Sequence, residues 1–132
     1  MGNAVKLLPD THVLLWWMQG DERLSRRAGE MLISADHDVY LSAVCAIEIA
    51  AKVNIGKLRL PAPVGDVLAE LRERLDMLPM PLTAEHAVRL VDMPLHHRDP
   101  FDRLLVAQAM VEGVTLISYD RWITSYGVSV VN

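Results

Sequence analysis

Residues 5–18 read VKLLPDTHVLLWWM, and this stretch decides the fold. The apolar run from Val5 to Pro9 is typical of a short buried strand. Asp10 and Thr11 end that run and can cap the helix that we predict over Val13–Met18. A buried strand that leads directly into a helix is the repeating unit of α/β proteins.

The rest of the chain continues this alternation of strands and helices. Further short apolar runs predict strands at Val39–Leu41, Met77–Met80, Val114–Ser118 and Val128–Val131. Helical periodicity and capping residues predict helices at Ser25–Ala35, Ala43–Ile55, Val64–Leu75, Thr83–Asp92, Phe101–Glu112 and Asp120–Thr124. The pattern favours one α/β domain over residues 1–132, with a parallel or mostly parallel sheet.

Composition narrows the class of protein. A chain of 132 residues, 52% hydrophobic and 23% charged, is a globular domain and excludes intrinsic disorder. One cysteine excludes a disulfide framework and a cysteine-based zinc cluster. The net charge of −4 argues against a nucleic-acid binder that relies on electrostatics alone. Without a signal peptide or a bilayer-length apolar run, we expect a cytoplasmic protein with no membrane partner.

Four acidic side chains occupy positions where α/β proteins place ligands. In open α/β sheets, ligands bind beyond the carboxyl ends of the strands. Asp10 follows the first predicted strand, and Asp120 follows a later one. Asp102 lies in the first turn of an apolar helix, and Glu48 is the one polar side chain in residues 43–51. We therefore expect these four carboxylates to converge at one end of the sheet.

Each acid also has a purely structural interpretation. Asp10 and Asp120 could cap the helices that follow them, and Asp102 could be favoured in its first turn by the helix dipole. Glu48 could form an ion pair with Lys52, one turn along the same helix face. A buried carboxylate needs some such partner or a metal ion, because an unpaired buried charge is costly.

Carboxylates gathered in one cleft favour a particular chemistry. They repel one another and raise each other's pKa, and a divalent cation relieves that repulsion. Oxygen ligands without cysteine suit Mg²⁺ or Mn²⁺. One or two such ions can bind a phosphodiester oxygen, deliver water as the nucleophile and stabilise the leaving oxygen. This arrangement requires no side-chain nucleophile.

Four segments together resemble the PIN-domain ribonucleases, and within them the VapC toxins of bacterial toxin–antitoxin pairs. The segments are LLPDTHVLLWW (7–17), LSAVCAIEIAAKVNIGKL (41–58), HHRDPFDRLLVAQA (96–109) and TLISYDRWI (115–123). The resemblance implies a three-layer α/β/α fold with a mostly parallel sheet of about five strands. It also implies metal-dependent endonucleolytic cleavage of RNA, an antitoxin partner and a homodimer.

The same resemblance assigns roles to the four acids. The family's acids fall on Asp10, Glu48, Asp102 and Asp120, as catalytic and metal-binding residues. We expect Asp10, Asp102 and Glu48 to hold one Mg²⁺ or Mn²⁺ ion. Asp120 would bind a second ion or orient the attacking water, and Glu48 or Asp120 could accept the proton of that water.

Three further residues are assigned supporting roles. Thr11 matches a hydroxyl residue often found beside the first family acid. Ser118 lies two residues before Asp120, where its hydroxyl would orient that acid or a water. Asp99 begins the RDPFDR variant of the motif, and we predict that it caps the next helix and helps to position Asp102.

Basic side chains near the acids are the predicted contacts with RNA. The structural alternative for each is an ordinary solvated surface charge, and Lys52 could instead form an ion pair with Glu48. The predicted RNA-binding residues are Lys52, Arg98, Arg103 and Arg121.

Two pairs of neighbouring residues call for separate interpretation. Adjacent histidines in a regular element do not usually bind one ion together, so His96 and His97 are not assigned as metal ligands. Trp16 and Trp17 could stack on RNA bases. Their apolar setting instead favours packing in the core or in an interface.

Three alternative functions compete with a ribonuclease. A response-regulator receiver domain has a similar length, but it needs a second acid after the first strand and a late lysine, and the last lysine here is Lys57. A catalytically silent PIN-fold binding module is the second. A related nuclease acting on DNA is the third.

Overall fold

A computed structural model describes residues 4–132, and it shows strands alternating with helices. The strands are β1 Lys6–Pro9, β2 Asp38–Ser42, β3 Leu78–Met80, β4 Thr115–Ile117 and β5 Val130–Val131. The helices are α1 Thr11–Gln19, α2 Arg26–Ile33, α3 Ala43–Asn54, α4 Val64–Arg74, α5 Ala84–Arg89, α6 Pro100–Glu112 and α7 Arg121–Thr124. Each predicted element is present, with ends that differ by a few residues.

The strands form a single five-stranded sheet in the order β3-β2-β1-β4-β5, and every pair is parallel. From β1 the chain moves outward through β2 to β3, then crosses back to place β4 on the other side of β1. Strand order therefore reverses between β1 and β4, where Leu8 pairs with Leu116 and Pro9 pairs with Ile117. The crevice beyond that reversal is the usual ligand site of an open α/β sheet.

The core is aliphatic, and it lies on both faces of the sheet. Leu7 and Leu8 are neighbours on β1, so their side chains point to opposite faces, and both are fully buried. Leu116 and Ile117 repeat this on β4. Burial on both faces explains why these strands read as continuous apolar runs.

The segment predicted as one helix over Thr83–Asp92 is two elements, which corrects that prediction. Thr83 caps α5 and accepts a hydrogen bond from His86, whose ring accepts in return from the Thr83 N–H. The helix α5 ends at Arg89, and a 3₁₀ turn continues over Leu90–Asp92. Among residues 4–132, no helix is long and apolar enough to cross a membrane.

Candidate active site

Asp10 lies at the end of β1, next to the carboxyl end of β4. Its backbone N–H donates to the Ile117 carbonyl, which continues the β1–β4 pairing by one residue. One carboxylate oxygen accepts from the Val13 N–H at 2.9 Å and so caps α1. The other accepts from the Ser118 hydroxyl at 2.6 Å. Burial raises the pKa of Asp10, and these two hydrogen bonds act in the opposite direction.

Glu48 is buried in α3 and has both carboxylate oxygens engaged. The Thr11 hydroxyl donates to Oε1 at 2.6 Å, and the Lys52 ammonium donates to Oε2 at 2.5 Å. The ion pair between Glu48 and Lys52, one of the alternatives left open by the sequence, is therefore confirmed. The hydrogen bond to Glu48 raises the pKa of Lys52. The buried negative charge of Glu48 is thus compensated within the protein.

Asp102 and Asp120 meet at the side chain of His97, a residue to which the sequence assigned no role. His97 Nε2 lies 2.9 Å from Asp102 Oδ2 and 2.7 Å from Asp120 Oδ2. The other ring nitrogen, Nδ1, accepts from the Asp99 N–H at 3.1 Å, so the hydrogen sits on Nε2 and faces both acids. His97 Nε2 and an oxygen of each acid lie within 4.8 Å of one another, and since Nε2 carries the hydrogen, the two carboxylates are the groups that could bind a metal ion.

The charge of Asp102 is poorly compensated in spite of His97. Burial raises the pKa of Asp102 to about 7, with repulsion from Asp99 as the next contribution. Repulsion from Asp10 and Glu48 acts in the same direction, whereas His97 lowers the pKa. Asp102 therefore lies close enough to the other acids for their charges to oppose its ionisation.

The supporting residues connect these acids. Asp99 caps α6 as predicted, since its carboxylate accepts from the Phe101 N–H at 2.8 Å and the Asp102 N–H at 3.3 Å. The Ser118 hydroxyl, besides donating to Asp10, accepts from the backbone N–H of Asp120 at 3.1 Å. It therefore contacts the main chain of Asp120 and the carboxylate of Asp10, a bridge across two strand ends.

The predicted RNA-binding residues differ in their surroundings. Arg98 and Arg121 are exposed, and the Arg121 guanidinium lies 5.0 Å from the ring centre of Trp122. Arg103 turns toward the preceding loop, where Nη2 donates to the Met93 carbonyl at 3.4 Å. Its Nε is buried and has no hydrogen-bond partner within residues 4–132. Lys52 is held by Glu48.

Three of the acids line one cleft of about 250 Å³ together with aromatic and cationic side chains. The acids are Asp10, Asp102 and Asp120, and the other lining residues are His12, Trp16, Arg23 and Tyr119. Trp16 lines this cleft and is not part of the core, and its predicted packing in an interface stays a prediction. Capping by Asp10 sets the phase of α1 so that positions 12 and 16 share the face beside the cleft. Trp17 packs against the core.

The donors around this cleft fit a hard divalent cation. Asp10, Asp102 and Asp120 offer carboxylate oxygens, the ligand type that Mg²⁺ and Mn²⁺ prefer. Burial raises the pKa of both Asp10 and Asp102, so ionising either carboxylate in the metal-free protein is unfavourable. An ion at this point would supply a compensating positive charge. Glu48 does not line the cleft, because its oxygens face Thr11 and Lys52.

Solved structures share this architecture. VapBC2 from Rickettsia felis, bound to a DNA fragment from its promoter, superposes with a TM-score of 0.73 at 12% identity, over 96% of this chain and 98% of that one. FitAcB from Neisseria gonorrhoeae gives 0.66 at 21% identity, over 96% of each chain. VapBC-1 from nontypeable Haemophilus influenzae gives 0.65 at 11% identity, over 96% and 97%.

Sequence comparison identifies the family. Ribonuclease VapC22 of Mycobacterium tuberculosis is 31% identical over 121 residues, which cover 91% of each chain. The family model described as PIN domain matches residues 7–127, from β1 to the turn before β5. The family-model match includes all four acids, and the chain belongs to the PIN-domain family.

Proposed function

We propose that this protein is a Mg²⁺- or Mn²⁺-dependent endoribonuclease and the toxin of a toxin–antitoxin pair. The observation that carries the proposal is the convergence of Asp10, Asp102 and Asp120 on one cleft at the strand-order reversal. The similarity to a protein named Ribonuclease VapC22 supports RNA as the substrate. RNA hydrolysis would take place in the cytoplasm.

Asp10, Asp102 and Asp120 would hold the cation. When bound, Mg²⁺ or Mn²⁺ supplies Lewis-acid activation of the phosphodiester and of a water molecule. Ser118 and the Val13 N–H fix the Asp10 carboxylate, so its free lone pairs point in a set direction. His97 holds Asp102 and Asp120 at a common point and acts as a positioning residue.

Asp120 is the acid that we assign to accept the proton of the attacking water. Its side chain is 28% exposed, against 3% for Glu48, so water reaches it directly. Both carboxylates already accept hydrogen bonds, Glu48 in the core and Asp120 from the Trp122 N–H, where it caps α7, and from His97, so exposure to water decides the assignment. Glu48 would instead contribute negative potential behind Asp10 and, through Thr11, keep the start of α1 in place. This assignment narrows the expected role of Glu48 from metal ligand to positioning residue.

Basic residues would contact the RNA backbone around the acids. Arg98 and Arg121 are exposed near the mouth of the cleft and are free to reach phosphates. Lys52 remains 34% exposed while it pairs with Glu48, so it could contact a phosphate with its outer face. Arg103 would act indirectly, by fixing the loop at Met93.

An antitoxin partner would bind away from the catalytic carboxylates as well as near them. A groove of about 260 Å³ between α3 and α4 has a mostly apolar lining. Its lining residues are Leu41, Ala43, Ala46, Gly65, Leu68, Arg72 and Pro79. A short apolar segment of an antitoxin would fit this groove. Homodimerisation is the second proposed association, and light scattering of the purified protein tests it.

Cleavage of total cellular RNA by antitoxin-free protein tests the proposed function. We expect discrete fragments with Mg²⁺ or Mn²⁺, none with EDTA and none from an Asp10→Asn variant that folds normally. An Asp36→Asn variant is the matched control, because Asp36 is exposed in the turn before β2.

The same assay separates the alternatives. Cleavage of single-stranded DNA with RNA left intact would favour the DNA nuclease. Folded protein that neither cleaves nucleic acid nor binds Mn²⁺ would favour the catalytically silent binding module. Unchanged cleavage by Asp10→Asn would refute the assignment of the site.

A further inference from the structure

One part of the cleft wall is built from side chains with flat faces. Trp16 and Tyr119 contact each other with ring centres 5.4 Å apart and planes tilted by 57°. The Arg23 guanidinium lies 4.8 Å from the centre of the Trp16 ring. Metal binding by the acids requires none of these three side chains. Their position in the same cleft therefore calls for another role.

Arg23 is held in place by its ion pair with Asp21, which fixes the plane of the guanidinium. Its Nε and Nη2 atoms donate to both carboxylate oxygens of Asp21, at distances from 2.7 to 3.2 Å. Asp21 thus occupies one of the two hydrogen-bonding edges of the guanidinium, that of Nε and Nη2, and pairs its charge. One face lies toward Trp16, and the side chain remains 66% exposed. What Arg23 offers a ligand is its outer planar face.

Tyr119 is fixed in a similar way. Its hydroxyl oxygen accepts from the Ser25 N–H at 2.8 Å, a contact between residues 94 positions apart. Ser25 is also the N-cap of α2, so the ring is tied to a rigid helix start. Within residues 4–132 no acceptor takes the hydroxyl hydrogen of Tyr119, which leaves it available to a polar ligand edge.

A planar, heteroaromatic ligand matches this wall. Unpaired bases stack on aromatic side chains and on guanidinium planes, and protein donors read their edges. A phosphate matches it poorly, because the acids in the same cleft repel an anion that no cation bridges. A base on this wall would place the adjoining phosphodiester toward Asp10, Asp102 and Asp120, which share the cleft.

We propose that Trp16, Arg23 and Tyr119 form a subsite for one unpaired nucleobase next to the scissile phosphate. The subsite rests on the proposed ribonuclease function and extends it to the recognition of substrate. Arg23 and Trp16 supply stacking energy that any base can use. Tyr119 supplies a directional contact, so this subsite contributes to the choice of cleavage position.

Binding of two matched probes tests the subsite. One probe is a fluorescein-labelled single-stranded RNA octamer of mixed sequence, and the other is an octamer of the base-free sugar–phosphate chain. Both are titrated by fluorescence anisotropy with Mg²⁺ onto the Asp10→Asn protein, which binds without cleaving. We expect RNA to bind at least about tenfold more tightly than the base-free chain, as one stacked base predicts.

Variants of Arg23, made in the Asp10→Asn protein, test whether the base binds at this part of the cleft. Arg23→Ala and Arg23→Lys should each weaken RNA binding by about tenfold and leave the base-free probe unchanged, because lysine keeps the charge and loses the plane. The salt dependence of RNA binding should not change. Arg26→Ala is the matched control, since Arg26 is 93% exposed on α2, pairs with Glu30 and does not line the cleft.

Other results would overturn the proposal. If Arg23→Ala weakens both probes equally and lowers the salt slope by about one, Arg23 contacts phosphate. If Arg23 variants bind RNA like the parent while wild-type protein cleaves RNA, the subsite is refuted and the ribonuclease function stands. If wild-type protein neither binds nor cleaves RNA, the proposed function fails and the subsite fails with it.

Discussion

Replacing Asp102 with asparagine should stabilise the metal-free protein. Burial and neighbouring acids raise the pKa of Asp102 from 3.8 to about 7. Folding therefore opposes ionisation of this carboxyl group, and above pH 7 the ionised group destabilises the folded state. Asparagine has the same shape and carries no charge. It can still accept a hydrogen bond from His97 through its amide oxygen.

The size of the effect follows from the change in pKa. At 1.36 kcal/mol for each pH unit between 3.8 and about 7, the upper bound is about 4 kcal/mol. The Asp102 side chain is 18% exposed, and water at the mouth of the cleft screens its charge. We therefore expect a gain of about 1–2 kcal/mol at about pH 8. For a chain of this length, that corresponds to a rise in Tm of about 4–8 °C.

The stability gained by Asp102→Asn should depend on pH. Below about pH 3.8 Asp102 is protonated in both the folded and the unfolded chain, and the substitution has no electrostatic effect. Between pH 3.8 and 7 the advantage of asparagine grows, and above pH 7 it is constant. Thermal unfolding followed by circular dichroism in EDTA, at about pH 5 and about pH 8, measures this trend.

Divalent cations should reverse the order of stability of the wild type and Asp102→Asn. Mn²⁺ should raise the Tm of the wild type more than that of Asp102→Asn, because the variant lacks one carboxylate ligand. Asp36→Asn is the control, and it should change neither the Tm in EDTA nor the rise in Tm that Mn²⁺ causes. The reasoning is refuted if Asp102→Asn melts at or below the wild-type temperature at about pH 8 in EDTA. A stabilisation that does not depend on pH would equally contradict it.

Three further predictions concern neighbouring side chains. His97→Ala should weaken Mn²⁺ binding, measured by electron paramagnetic resonance, by about tenfold or more. His97→Gln, which retains a donor for the two acids, should lose less, and equal losses would contradict a positioning role. Lys52→Met should destabilise the fold by about 2 kcal/mol, because it leaves Glu48 buried without its ion-pair partner. Adding Glu48→Gln should recover most of that loss in urea unfolding, whereas additive losses would show that the pair is not the cause. Arg98→Ala should weaken RNA binding and reduce its salt slope by about one, and an unchanged slope would remove Arg98 from the interface.

The parts of the fold that depend on local sequence were predictable. The apolar runs of β1 and β4 are buried on both sheet faces, and this burial leaves a continuous signal in the sequence. Asp10 and Asp120 follow directly from the positions of those strands. The ion pair of Glu48 with Lys52 follows from their spacing of four residues on one helix.

The contacts of His97 depend on tertiary structure and could not be predicted. Its loop is shaped by a hydrogen bond from the His97 N–H to the Tyr126 hydroxyl, 29 residues away. A second hydrogen bond, from the Asp99 N–H, orients the ring. A pair of histidines in a loop carries no periodic signal. The one available signal was their position just before an N-cap, Asp99, that the sequence did identify.

The negative charge of Glu48 and the charges of Asp10 and Asp102 have different partners. Glu48 forms an ion pair with Lys52 and accepts a hydrogen bond from the Thr11 hydroxyl, so its charge is compensated within the protein. Asp10 accepts hydrogen bonds from the Ser118 hydroxyl and the Val13 N–H. Asp102 contacts His97, which also contacts Asp120. Burial raises the pKa of Asp10 and of Asp102, and both acids line the cleft, which Glu48 does not. A protein selected for stability alone would pair these acids as it pairs Glu48. Leaving them uncompensated lowers the stability of the metal-free fold and favours binding of a cation, because the ion relieves the repulsion that the fold retains.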